Sequence, residues 1–198
     1  MSSASDRAIA PAGQPLELLF ERNDLPHFEL PEPLVANYGG KLGIAKECLF
    51  ANFVASLDGV VALPGDTESG QIISGRNQAD RFVMGLLRTC ADAVLLGAGT
   101  FRKSAGHLWT AERIYPPAAA EHAAARRRLG LQPAPMLVLV SASGEIDTAQ
   151  PAAQNAWIFT TARGERALRA KLPESTRLSV LDSERVELRQ VLGELREQ

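Results

Sequence analysis

The sequence predicts an α/β protein built on parallel strands, and three observations carry that reading. Residues 49–56 are almost continuously apolar, with aromatic and β-branched members, in a run too short for a helix. From Arg76 onward, Ala79, Phe82, Val83, Leu86, Leu87 and Cys90 recur at the three-and-four spacing that lines one face of a helix. Ala93-Val94-Leu95-Leu96 then reads as a second buried strand, closed by Gly97-Ala98-Gly99-Thr100. Strand, helix, strand and glycine turn in that order describe a layer that holds ligands at its strand ends.

Taken in order, residues 1–15 are small, polar and broken by prolines, as in a disordered tail. Residues 16–20 suit one short helical turn. Prolines 26, 31 and 33 and the pair Gly39-Gly40 make residues 16–48 an extended N-terminal arm. The 49–56 strand ends at Asp58-Gly59, which is turn chemistry and no sign of a catalytic acid. Ser74 is the expected N-cap of the next helix, with Asp80 near the positive end of its dipole. A helix starting near Thr100 would aim free amide groups at an anion, and Gly106 then breaks the path to Trp109. Pro116-Pro117 open a helix to Leu129 with Gly130 at its C′ position. Strands follow at 136–140, 156–160 and 177–181, with helices at 161–171 and 184–196, the last bearing Val186, Val191, Leu192 and Leu195. This alternation implies parallel strands joined by right-handed crossovers.

The 198 residues suit one domain with a real core. With 45% hydrophobic and 22% charged residues and a net charge of −2, nothing points to a nucleic-acid partner. The basic run Arg126-Arg127-Arg128 reads as a solvated helix end, where cations favour the dipole. Cys48 and Cys90 sit at no metal or redox spacing, and Cys90 falls on the apolar helix face. His27, His107 and His122 are scattered, so no metal is expected. No leader-like apolar region and no run near the ~18 apolar residues of a membrane span occurs, which predicts a cytoplasmic protein without a membrane partner.

Several spaced motifs carry a family resemblance. NFVASLDG, the ISG segment with its helix to LLR, ADAVLLGAGT and PMLVLVSASGEI resemble the reductase domain of the bifunctional riboflavin-biosynthesis deaminase-reductase, the RibD C-terminal family. The likeness runs in continuous order over residues 33–196. It implies a dihydrofolate-reductase-like, three-layer α/β fold with a mostly parallel sheet, the reductase domain occupying 49–198. In the family the final helix leads into a further strand and a Glu-Gly-Gly turn that cradles the cofactor pyrophosphate. The resemblance therefore implies a domain truncated before its last strands, retaining part of the NADPH contacts.

It also implies site residues. Val54 and Ala55 would lie along the nicotinamide of NADPH, Gly97, Gly99 and Thr100 at its phosphates, and Ser141 towards the adenosine end. Read alone, Val54 and Ala55 are core and the glycines shape a turn. Arg88 matches a family substrate-binding arginine, whose planar guanidinium suits a sugar phosphate; read alone, it is the polar helix face beside Arg81. Ser69, or Gly70 beside it, takes the family's small polar substrate position and Leu108 its apolar one. Asn52 stands where the riboflavin enzymes carry a lysine, and Ser104 to Trp109 replaces their Asp-Asp-Pro-x-Leu-Thr segment. No residue is assigned as catalytic.

Gly97-x-Gly99 departs from the Rossmann fingerprint, since Arg102 occupies the third glycine position. Arg102 itself reads as either a phosphate contact or a solvated side chain. The zinc motif of nucleobase deaminases is absent. The expectation is an NADPH-dependent reductase resembling the enzyme that reduces 5-amino-6-(5-phosphoribosylamino)uracil. Its substrate would be a phosphorylated pyrimidine or a pteridine-like C=N compound, and the family resemblance implies a homodimer. The competing expectation is a non-catalytic remnant or interaction module.

Overall fold

The computed structural model describes residues 15–65, 69–104 and 106–197. The tail expected over 1–15 lies, save for Pro15, outside them. The chain forms two compact units, Met1–Asp92 with Trp109–Pro135, and Ala93–Leu108 with Met136–Gln198.

In the first unit, β1 (His27–Phe28) pairs antiparallel with β2 (Leu42–Gly43), and α1 (Glu32–Tyr38) lies between them in the chain. The extended arm expected over 16–48 thus contains a helix. Pro31 is its N-cap and Pro33 sits in its first turn, where a missing amide costs nothing, and Gly39 ends it in the left-handed region at φ 80° with its amide bonded to the Val35 carbonyl. The residues read as breakers are its start and stop signals. The helical turn expected over 16–20 does not form. Five residues are too few to nucleate one alone, and the Leu16 amide bonds instead to the Asn37 carbonyl at 3.0 Å.

The segment 49–56 is not a strand. Leu49, Phe53 and Leu57 are exposed at 69%, 77% and fully, and the local backbone bonds close only a turn, Ser56 N–H to Val60 O and Gly59 N–H to Ser56 O. A run of β-formers becomes a stable strand only against a ladder partner, and none of the described residues supplies one. The Asp58-Gly59 turn is present as read, with Gly59 at φ 85° and the Ser56 hydroxyl donating to the Asp58 carboxylate.

Helix α2 (Ser69–Ile73) precedes α3 (Gln78–Cys90). The cap of α3 is Asn77, whose side chain accepts from the Ala79 amide at 2.8 Å, and not Ser74, which α2 and its closing turn absorb. Phe82, Leu86 and Cys90 are buried on α3 as their spacing predicts. They pack with Leu34, Leu42, Ile114, Tyr115 and Ala125 into one core. The unit closes with α5 (Ala111–Ile114), a 3-10 turn at Pro116–Ala118 and α6 (Ala119–Arg128), and both helices pack on α3.

The second unit is a four-stranded parallel sheet in chain order: β3 (Ala93–Gly97), β4 (Met136–Ser141), β5 (Trp157–Thr161) and β6 (Leu178–Leu181). Its helices are α4 (Ala98–Lys103), α7 (Pro151–Gln154), α8 (Ala162–Leu168) and α9 (Leu188–Arg196). Val138, Trp157, Phe159 and Leu181 pack with Val191 and Leu195 of α9. Leu139 and Ile158, also buried, fall on the opposite face by the two-residue strand period. A relay ties α9 to the sheet, from Trp157 Nε1 to Ser179 Oγ (3.0 Å) and from that hydroxyl to Glu194 Oε2 (3.0 Å). No helix among the described residues is long and apolar enough to cross a membrane.

Candidate functional site

The C-terminal strand ends of the second unit gather four of the expected residues. Gly97 pairs in register with Val140, which brings Ser141 beside the turn that opens α4. The loop that follows β4 is held from two sides. Thr160 Oγ1 donates to the Ser141 carbonyl at 2.6 Å and Thr161 Oγ1 to the Ala142 carbonyl at 2.7 Å, while Arg102 Nη1 donates to the Glu145 carbonyl at 2.6 Å. Ser141 is buried, and its Oγ accepts the Gly144 amide at 3.1 Å, so it shapes this loop. Arg102, left open between a phosphate contact and a solvated side chain, spans from α4 to the loop.

Gly97 and Gly99 differ from the other glycines of this region. Gly97 is extended at φ −75°, and Gly99 lies inside α4, so neither needs the left-handed region. Among the described residues a Cβ at either would meet no packed atom within 4 Å. Neither backbone conformation nor internal packing demands glycine there, and what remains open is the space outside the backbone. Thr100 is exposed next to it, and Leu108, in the same unit, is 48% exposed.

In the first unit, Val54 is half-buried and Asn52 and Ala55 are exposed. The Val54 Cγ1 stands 3.7 Å from where a Gly70 Cβ would be, and the Ser69 hydroxyl accepts the Leu63 amide at 2.9 Å. The 52–55 segment and the start of α2 are therefore brought side by side. Arg88 has a different neighbourhood. Its guanidinium carbon lies 5.3 Å from the centroid of the Trp109 ring. Among the described residues no carboxylate pairs with it, and burial, with the like charge of Arg81, pushes it down to about 10, so it remains a cation at neutral pH.

Trp109 was not singled out by sequence. It is 8% exposed and sits at φ 57°, a conformation that costs a bulky residue on the order of 1 kcal/mol or more. The available signal was an aromatic residue where the family motif has a threonine. Arg126 was misread as well. It is buried, with Nη1 donating to the carbonyls of Arg88 (2.9 Å), Thr89 (3.0 Å) and Ala91 (2.9 Å) and Nε to that of Gln132 (2.7 Å). It caps the C-terminus of α3 from α6, and only its neighbours Arg127 and Arg128 are the exposed helix end. Cys90 is core as read, its thiol pushed up to about 12 by burial, whereas Cys48 is exposed. Among the described residues no cluster of three His, Cys, Asp or Glu side chains is placed to hold a metal.

Comparison with known proteins bears on both sequence and fold. A family model described as the RibD C-terminal domain covers residues 47–198. The crystal structure of a pyrimidine reductase-like protein from Corynebacterium diphtheriae superposes with a TM-score of 0.54 at 20% identity, over 72% of this chain and 58% of that one. That likeness establishes the fold, and this chain spans 58% of the length of that protein. No curated protein matches the sequence.

Proposed function

This chain belongs to the RibD C-terminal domain family, and from that premise we propose that it is an NADPH-dependent reductase of a phosphorylated pyrimidine resembling 5-amino-6-(5-phosphoribosylamino)uracil. The observation that carries the reading is the open backbone at Gly97 and Gly99, where an added Cβ would meet no packed atom of the described residues within 4 Å. It fits a diphosphate, which binds where amides and small residues let it approach the main chain.

When bound, NADPH supplies the hydride that no side chain can provide. The protein's own part is binding and orientation. Gly97 and Gly99 present main chain, the Thr100 hydroxyl is exposed beside them, and Ser141 fixes the adjoining loop through Gly144. Val54 and Ala55 are proposed for the nicotinamide end. For the substrate, Arg88 offers an uncompensated cation to a phosphate, Asn52 and Ser69 offer neutral hydrogen-bonding groups, and Leu108 offers an apolar surface.

The test is loss of NADPH absorbance on addition of the phosphorylated aminopyrimidine, alongside a fluorescence titration of NADPH. Turnover that needs the phosphate supports the reading, and a folded protein that binds neither ligand overturns it. That second outcome would favour an interaction module, the reading that the exposed Leu49, Phe50, Phe53 and Leu57 support.

A further inference from the structure

We propose that Trp109 is the positioning residue for Arg88, its ring setting the guanidinium so that the edge donors face an incoming phosphate. This inference rests on the reading of Arg88 as the substrate-phosphate contact and goes beyond it by naming what holds the cation in place.

Three observations converge. The Arg88 guanidinium carbon stands 5.3 Å from the Trp109 ring centroid, within the range of a cation–π contact. Such a contact stabilises the cation without a carboxylate that would compete for its N–H groups. Trp109 keeps this place although its backbone lies in the left-handed region at φ 57°, where glycine or asparagine is favoured. A bulky residue held there signals that its side chain is needed where it points. Thirdly, the Arg88 carbonyl is fixed by Arg126 Nη1 at 2.9 Å, so the main chain under Arg88 is anchored.

The surroundings explain why a ring suits the position. Arg81 is a like charge nearby, and among the described residues no carboxylate neutralises Arg88. A carboxylate in place of the ring would hold the guanidinium equally well but would compete with a substrate phosphate for the same N–H groups. The aromatic ring stabilises the cation without bringing a competing anion.

The experiment uses the full chain, with ribose 5-phosphate as probe and ribose as control, and follows the Arg88 Nε–H resonance, assigned by its loss in Arg88→Lys. In the wild type that resonance is expected to be displaced by the ring current of Trp109 and to move with ribose 5-phosphate but not with ribose. Trp109→Phe keeps an aromatic face and should hold the affinity within about threefold, whereas Trp109→Leu keeps apolar bulk alone and should weaken it about tenfold while ribose still has no effect. Should Trp109→Leu bind like the wild type while Arg88→Lys loses the probe, the positioning role is wrong and the Arg88 reading stands. If Arg88→Lys binds like the wild type, the reading of Arg88 falls and this inference with it. A fluorine label on the indoles needs no folding variant. The Trp109 signal should shift on addition of ribose 5-phosphate, and an unmoved signal at saturation overturns the proposal.

Discussion

The Thr89 hydroxyl and His122 Nδ1 lie 2.7 Å apart, buried between α3 and α6. The same hydroxyl lies 2.9 Å from the Gly85 carbonyl, and with its one proton given there His122 donates through Nδ1–H. Its Nε2 then faces the space above Gly85, where an added Cβ would come within 3.1 Å. That nitrogen is buried without a hydrogen-bond partner among the described residues, and burial disfavours the charged ring.

Stability should therefore depend on pH through His122. Burial lowers its pKa from 6.5 to about 4, against a smaller opposing effect of the Glu112 carboxylate. The unfolded chain takes up the proton first, so the contribution is intact above pH ~6.5 and is lost as pH falls towards ~4. The shift corresponds to roughly 3 kcal/mol. Thermal melting from pH 7.5 to 4 should show a steeper loss for the wild type than for His122→Gln, which cannot titrate. Parallel curves would mean that His122 takes its proton as readily in the folded chain.

Arg126 predicts a purely structural effect. Its two nitrogens satisfy four carbonyls, three of them at the end of α3. Arg126→Met keeps the stem packed and removes every donor, leaving buried acceptors unpaired, at a cost on the order of 3 kcal/mol. Arg126→Lys should recover little of it, because one ammonium cannot reproduce the guanidinium fork. Denaturant midpoints measure both, and Arg127→Met serves as a control that should stay within about 0.5 kcal/mol of the wild type.

The glycines separate structural from ligand-bearing roles. A Cβ on Gly164 would run into Thr160 Oγ1 and stand 2.9 Å from the Ala142 carbonyl and the Gly144 amide, all fixed by hydrogen bonds or backbone. Gly164→Ala should lower stability by about 2 kcal/mol or more. Gly99→Ala meets open space inside a helix, so stability should be unchanged or raised by up to ~1 kcal/mol. NADPH binding should nonetheless weaken about tenfold. A Gly99→Ala protein with wild-type cofactor affinity would remove the turn from the proposed site.

What sequence reveals here follows the range of the interactions involved. Helix 78–90 and the four parallel strands were readable because apolar periodicity is local and each element buries the face that its spacing marks. Helix α1 was missed because its proline and glycine signals look like breakers until the segment between them is seen to be one helix long. Arg126 and His122 reach partners more than thirty residues away on α3, and no local pattern encodes that meeting. Nor does any local pattern show the Arg88 and Trp109 contact, which spans the whole of β3 and α4 in the chain. The 49–56 run failed for the opposite reason. Its composition is that of a strand, and composition cannot supply the neighbour that a strand requires.

That run makes the last prediction. Leu49, Phe50 and Phe53 are exposed in a stretch with no ladder partner among the described residues, and Leu57 follows in the adjoining turn. An exposed apolar stretch without a ladder partner is a template for association. The wild type should therefore associate as its concentration rises, and should enhance the fluorescence of an apolar dye. Phe53 is 77% exposed, so Phe53→Glu removes little packing and should leave stability within about 0.5 kcal/mol. Its added charge should nevertheless shift sedimentation towards the monomer and reduce dye binding. Sedimentation velocity over a hundredfold range of concentration provides the measurement. A wild type that stays monomeric throughout, with no dye enhancement, would show that this stretch is covered in solution.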